Sequence, residues 1–387
     1  MPRNIPVCVL ALAICASTVL ASAQVTPSTT ESASNKAASS PVAYVYVSNG
    51  SNGVNQINGY YAAANGALTA IPGSPFPYSV SYLAVNGAWL FGLNSTAQGS
   101  GQVIDSFSIA ANGALSLKDE VNEAESGDAG ISVYLDHTGS TLYSDYYTTN
   151  NDYLSYSIDQ STGALTYLGM LAGGPPNNSP VSFIGNNQYA YSSSCYHFDP
   201  EIIGVQRASN GTLSYLNDFN PPFPAEKSGG FYCPWLAAAD PTNHIAVAMQ
   251  PLKPSWASEG NYQLATYTAD ASGNLTTTST YQNMPSVQVG FPTDYWMSPS
   301  GQYLAVGGTE GLQIFSFNGA NPITRLTQRL VSKPIDQVFW DNANHLYALS
   351  SSAGELFVFT VTPTGAKRTP GTPYSIPGAA NLIVLPQ

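Results

Sequence analysis

Two carboxylates stand at the head of alternating apolar segments: Asp294 in Phe-Pro-Thr-Asp-Tyr-Trp and Asp336 in Lys-Pro-Ile-Asp-Gln. Neighbouring carboxylates raise one another's pKa, and the raised member becomes a base able to activate water. The same oxygens suit a hard divalent cation such as calcium. His197, in Cys-Tyr-His-Phe-Asp-Pro-Glu, has Asp199 and Glu201 close behind it and is a further candidate base. Asp294, Asp336 and His197 are thus the candidate catalytic residues. No metal-ligand set is assigned, because His137, His244 and His345 fall in separate turns and metal sites need convergent ligands.

A wider group has binding chemistry. Asp128 and Asp145 are acceptors, and Lys227 and Lys333 suit a carboxylate or a developing oxyanion. Tyr146, Tyr232 and Tyr295, with Trp296, offer rings with polar tips that fit a sugar or a peptide. Plainer roles compete with each of these: acids cap loop amides, lysines solvate a surface, and aromatic rings pack between elements. No Gly-x-Ser-x-Gly elbow, P-loop, His-Glu-x-x-His or haem-attachment motif occurs.

The elements that must position these residues come from a repeat. Asn65-Gly66-Ala-Leu returns at Asn112, Thr162, Asn210 (with Thr for Ala) and Ser272 (as Ser-Gly-Asn-Leu), and in weaker form at Asn318 and Thr364. The steps are 47, 50, 48, 62, 46 and 46 residues. Each copy follows a period-two segment such as Gln102–Ile109, Tyr153–Ile158, Leu312–Phe317 or Glu355–Val361, which reads as a strand. Asn-Gly then supplies the positive φ of a tight hairpin. A second hairpin lies upstream, as in Ile131–Tyr146, Thr293–Gly308 and Gln337–Ser351. One unit is four strands, A to D, and seven such units predict an all-β, seven-bladed β-propeller.

The two ends predict how the ring closes. Ala43–Asn49 matches strand B, not A, and Ala380–Pro386 is an apolar strand with no B after it. That last strand is expected to be the missing strand A of the first blade, which would remove an open edge. Pro-Gly-Ser-Pro-Phe-Pro (72–77) and Pro-Gly-Thr-Pro-Tyr (370–374) end the outer strands of the first and last blades. In this layout the B–C and D–A loops share the face expected to carry function. Cys195 and Cys233 both fall there on adjacent blades, and a disulfide is expected.

The first residues read as an export signal, 1–23: Arg3, the apolar run Val7–Leu20, and the small residues Ala21-Ser22-Ala23. Residues 24–41 form a Ser/Thr/Ala-rich flexible leader, and 42–387 the propeller. No later segment is long and apolar enough to span a bilayer, so the mature chain is expected in the periplasm or outside the cell. With 11 Lys and Arg against 23 Asp and Glu, and a net charge of −12, a nucleic-acid partner is excluded. A monomer is expected.

Tyr46-Val47-Ser48-Asn49, the Asn/Thr-Gly-Ala-Leu turns and Pro-Gly-Ser-Pro-Phe-Pro together resemble the lactonase-type seven-bladed propeller family. That family includes 6-phosphogluconolactonases and muconate-lactonising relatives, and grades into secreted propellers named for Tyr-Val-Thr-Asn repeats. The resemblance covers the chain after the leader and implies a hydrolase of a sugar-derived or other lactone, with its site at the mouth of the central channel. It also implies His and Arg in loops entering the middle blades; Glu125–Val133 and Asn177–Ile184 contain neither. The alternative is a non-catalytic propeller that binds carbohydrate or a protein at the cell surface.

Overall fold

The computed structural model describes residues 40–49, 56–94, 103–122, 129–147, 151–174, 180–196, 199–227 and 229–387. The expected export signal, 1–23, and the expected leader up to residue 39 lie outside the described residues. In chain order, blade 1 contributes β1 (Ala43–Asn49), β2 (Ile57–Ala62) and β3 (Leu68–Ala70). Blade 2 is β4 (Ser81–Val85), β5 (Trp89–Asn94), β6 (Val103–Ile109) and β7 (Leu115–Asn122). Blade 3 is β8 (Ala129–Leu135), β9 (Thr141–Tyr147), β10 (Asn151–Ile158) and β11 (Leu165–Gly174). Blade 4 is β12 (Ser182–Phe183), β13 (Tyr189–Tyr196), β14 (Asp199–Arg207) and β15 (Leu213–Tyr215). Blade 5 is β16 (Phe231–Ala239), β17 (His244–Leu252), β18 (Gln263–Ala269) and β19 (Leu275–Thr276). Blade 6 is β20 (Pro292–Met297), β21 (Tyr303–Gly308), β22 (Gly311–Asn318) and β23 (Asn321–Arg325). Blade 7 is β24 (Gln337–Trp340), β25 (His345–Ser350), β26 (Glu355–Thr362) and β27 (Gly365–Arg368), with β28 (Tyr374–Ser375) also on β26. The last strand, β29 (Ala379–Pro386), pairs antiparallel with β1, Val45 opposite Val384, and closes the seven-bladed ring as the sequence predicts.

The repeated turn has a second task beyond making a hairpin. Its glycine adopts positive φ, from +63° at Gly319 to +141° at Gly365. The backbone there lies flat against the first residues of strand B in the preceding blade. A Cβ on Gly113 would meet the Tyr44 ring, on Gly163 the Trp89 ring, and on Gly273 the Tyr189 ring. The neighbouring phenols complete the clasp: Tyr46, Tyr143 and Tyr191 donate to the carbonyls of Gly113, Gly211 and Gly273 at 2.7–2.8 Å. Tyrosine in "YVYV" is thus both core and latch: Tyr44 also donates to Ala111 O at 2.6 Å, so the apolar seam carries polar ties.

The echo between the chain ends is part of the same closure. Ser74 Oγ accepts from Gly59 N–H, and Thr372 Oγ1 from Val358 N–H, both at 2.8 Å. Each hydroxyl satisfies a strand-C amide beyond the end of its short outer strand. Tyr374 Oη accepts from Leu68 N–H at 2.8 Å and joins blade 7 to blade 1 directly.

Turns between strands A and B are held by carboxylates. Asp136, Asp240 and Asp341 accept backbone N–H groups of Ser140, His244 and His345 at 2.8–3.0 Å. His345, at the blade 7 turn, is buried, with Nδ1 2.8 Å from Asp341 Oδ2, and packs against the Gly66 turn.

Candidate functional site

The seven inner strands surround a channel cavity of about 620 Å³. Inner strands of adjacent blades do not pair with one another. Their amides therefore need other acceptors, and side chains from the preceding blade supply them. Ser182 Oγ accepts Ala239 N–H at 2.8 Å, Asp294 Oδ2 accepts Val338 N–H at 2.8 Å, and Gln337 Oε1 accepts Leu382 N–H. The wall between these groups is mostly apolar and aromatic, with no Lys or Arg among its lining residues.

Four inner strands carry a register shift at the same place: between Ser81 and Leu83, Gly130 and Ser132, Pro234 and Leu236, and Pro292 and Asp294. Such bulges re-aim the side chain that follows. Ser132 and Asp294 follow theirs and line the cavity.

Asp294, on β20, is half-buried and lines the cavity. Burial against the apolar wall pushes its carboxyl up to about 7, with the Val338 and Tyr295 amides pulling the other way. Asp336, the other expected member of a carboxylate pair, is not among the lining residues. Asp336 lies off the channel, where its Oδ2 accepts Ser351 N–H at 2.7 Å. Trp296 is 44% exposed on the wall, its ring 5.0 Å from that of Phe339.

Other expected residues divide clearly. Tyr295 lines the channel, but its hydroxyl donates to Ala246 O at 2.9 Å and holds blade 5. Tyr232 is 1% exposed and donates to Gln263 Oε1 at 2.7 Å, so it is core and not a ligand surface. Lys333 is exposed and pairs with both Glu355 oxygens at 2.7–2.8 Å. Lys227 is also exposed, with Nζ 5.3 Å from the centre of the Tyr281 ring. Neither lysine is among the lining residues of the channel cavity. Asp145 is wholly buried on β9 beside Ser132. Asp128, His197 and the side chain of Tyr146 lie outside the described residues. No group of three or more His, Cys, Asp or Glu among the described residues converges to hold a metal ion.

Cys195 and Cys233 are joined between blades 4 and 5, with Cα atoms 5.5 Å apart, and pack on Leu252. The bond closes a 38-residue separation, which in a loop-entropy account stabilises by about 2–4 kcal/mol. Reduction is expected to lower the thermal midpoint reversibly. Two alkylatable thiols in unreduced protein would contradict the bond.

The sequence reading missed Asp105, a buried acid on β6. Burial and the nearby Glu120 raise its carboxyl to about 6, against a 3.0 Å hydrogen bond donated by Asn94 Nδ2. A signal was available: Asp105 shares the strand parity of Val103, Phe107 and Ile109, the apolar face.

No family model matches the sequence, and no curated protein matches it. Solved structures do. The chain is similar to the periplasmic gluconolactonase PpgL of Pseudomonas aeruginosa, at 14% identity and a TM-score of 0.65 over 89% of this chain and 99% of that one. A candidate 6-phosphogluconolactonase from Bacteroides uniformis gives 13% identity and a TM-score of 0.67, over 89% and 99%. Another from Bacteroides fragilis gives 16% and 0.64, over 93% and 100%. The fold is therefore that of the lactonase-type seven-bladed propellers, and at these identities the likeness extends to the fold alone.

Proposed function

We propose that the protein is an exported hydrolase of an unphosphorylated lactone, acting in the central channel with Asp294 as the base that activates water. The observation that carries this is Asp294 itself: a carboxyl lifted to about 7, lining a cavity, with Oδ2 tied to Val338 N–H. Ionised, it takes a proton from water; the water oxygen adds to the lactone carbonyl, the ring C–O bond breaks, and the ring oxygen leaves as a protonated hydroxyl. The absence of Lys and Arg from the lining residues fits a neutral ring and not a sugar phosphate. The named activity of one structural neighbour, a gluconolactonase, points the same way. Export is supported by residues 1–23, by the disulfide, and by the periplasmic description of one neighbour.

A panel of unphosphorylated lactones tests this with residues 24–387. Asp294→Asn keeps an oxygen for Val338 N–H but loses the base. It is expected to lower kcat/KM about 10²–10⁴-fold, with thermal stability at pH 5 unchanged. Wild-type activity should rise with pH to a plateau above about 7. An active wild type matched by Asp294→Asn would remove the assignment. One observation favours a second reading, a carbohydrate-binding propeller: Ser182, Asp294 and Gln337 each already serve a backbone amide. A flat lactone panel with glycan capture lost in Trp296→Ala would select it.

A further inference from the structure

Asp145 takes no part in that reading. It has no solvent exposure, and Ser132, its register partner on β8, donates to its Oδ2 at 2.8 Å. Its Oδ1 is buried without a hydrogen-bond partner. The Tyr134 phenol, also buried and short of a full hydrogen bond, interacts with the carboxylate from the same inner strand. Ser132 is only half-buried and lines the channel cavity. A buried acceptor left unmet is costly, and folded proteins keep few of them.

We propose that Ser132 is a covalent nucleophile of the channel, with Asp145 as its base and Tyr134 as the group that orients that base. A nucleophile bonded to a base, and a base positioned by a third group, is the general arrangement of covalent hydrolases. Burial lifts Asp145 to about 7, against the pull of Ser132 and Tyr134. That matches the basicity of an imidazole, which does this work in serine hydrolases. The bulge after Gly130 turns Ser132 to the channel while keeping it beside Asp145.

The proposal rests on the lactonase reading for its substrate and deepens it: the acyl group that meets the water activated by Asp294 is the ester on Ser132, not the free lactone. Ser132 Oγ adds to the lactone carbonyl carbon as its proton passes to Asp145. The ring C–O bond breaks, the departing oxygen takes that proton, and the opened chain remains as an ester on Ser132. Water, activated by Asp294, then adds to the ester carbonyl; Ser132 leaves, takes up the proton that the water gave to Asp294, and a hydroxy acid is released. Ser182, on the inner strand of the next blade, accepts Ala239 N–H and keeps its own hydrogen for the oxyanion.

A fluorophosphonate probe tests the nucleophile without any lactone. Intact mass and peptide mapping of residues 24–387 are expected to find one adduct, on Ser132. Ser132→Ala should give none, and Asp145→Asn should label about 100-fold more slowly or worse. Labelling should rise with pH through about 7; Tyr134, Tyr143 and Tyr153 lie around Asp145, Arg207 acts on Tyr143, and His137, Asp240 and Asp294 line the same cavity. Ser132→Cys keeps a nucleophile in place and should be alkylated there by iodoacetamide faster than in Asp145→Asn/Ser132→Cys. No adduct on the wild type, or an adduct elsewhere, overturns the proposal. Labelling without lactone turnover removes the lactone reading and leaves Ser132; turnover without labelling does the reverse.

Discussion

Acidification from pH 8 to pH 5 is expected to stabilise this protein, the reverse of the usual behaviour of paired surface acids. Three carboxyls, two buried and one half-buried, have folded-state values above the unfolded value near 3.8: Asp105 at about 6, Asp145 at about 7, and the half-buried Asp294 at about 7. In each, desolvation of the charged form is the leading cause. Between pH 4 and 7 the folded chain therefore holds protons that the unfolded chain has released. Unfolding free energy falls as pH rises through that window and levels off above it. For Asp145, wholly enclosed, the span of about three units corresponds to roughly 4 kcal/mol. Asp294 contributes less, because it borders the open channel. The negative net charge acts in the same direction, since protonation relieves self-repulsion. His137 opposes it: burial lowers its pKa, and it must charge on unfolding in acid. Three carboxyls outweigh one imidazole. Thermal unfolding at pH 8, 7, 6 and 5 should show midpoints rising by several degrees toward pH 5. Asp145→Asn should raise the midpoint at pH 8 and flatten the slope. A midpoint that is level or falls on acidification would rule out carboxyls buried in this state.

The parts of this molecule that were legible in its sequence are those fixed by local signals. Asn-Gly between apolar neighbours, and period-two alternation before it, report a hairpin over a few residues, and their recurrence counts the blades. Closure was legible because Ala380–Pro386 has no strand to follow it. The site was less legible for a specific reason. Whether an inner-strand side chain reaches the channel depends on pleat parity, and the bulges at Gly130/Ser132, Pro234/Leu236 and Pro292/Asp294 reset that parity mid-strand. Tyr232 precedes its bulge and is buried; Asp294 follows its own and lines the cavity. Asp336 precedes the described start of β24 and turns to a loop amide instead. Lys333 has an acid partner, Glu355, which composition does not reveal.

The clasp between blades carries the second large effect, and Gly163→Ala isolates it. Gly163 has φ +77°, and an added Cβ would lie 2.3 Å from the Trp89 ring. Trp89 cannot retreat freely: it is buried, and its Nε1 donates to Gln160 O at 3.1 Å on the same turn. Gly229 has the same φ of +77° with nothing within 4 Å of its added Cβ. Gly229→Ala thus measures the left-handed backbone cost, about 1–2 kcal/mol. Gly163→Ala adds overpacking of about 1–3 kcal/mol at a seam that must either open or strain. Its unfolding free energy in urea should fall by about 2–5 kcal/mol, well beyond the Gly229 variant. Equal losses for the two would mean that the turn does not bear on Trp89. The seam concerned joins blades 2 and 3, and blade 3 carries Ser132 and Asp145. If the clasp positions those groups, Gly163→Ala should slow probe labelling at Ser132 under conditions where the protein remains folded. Gly229→Ala, in the loop between blades 4 and 5, should leave it unchanged.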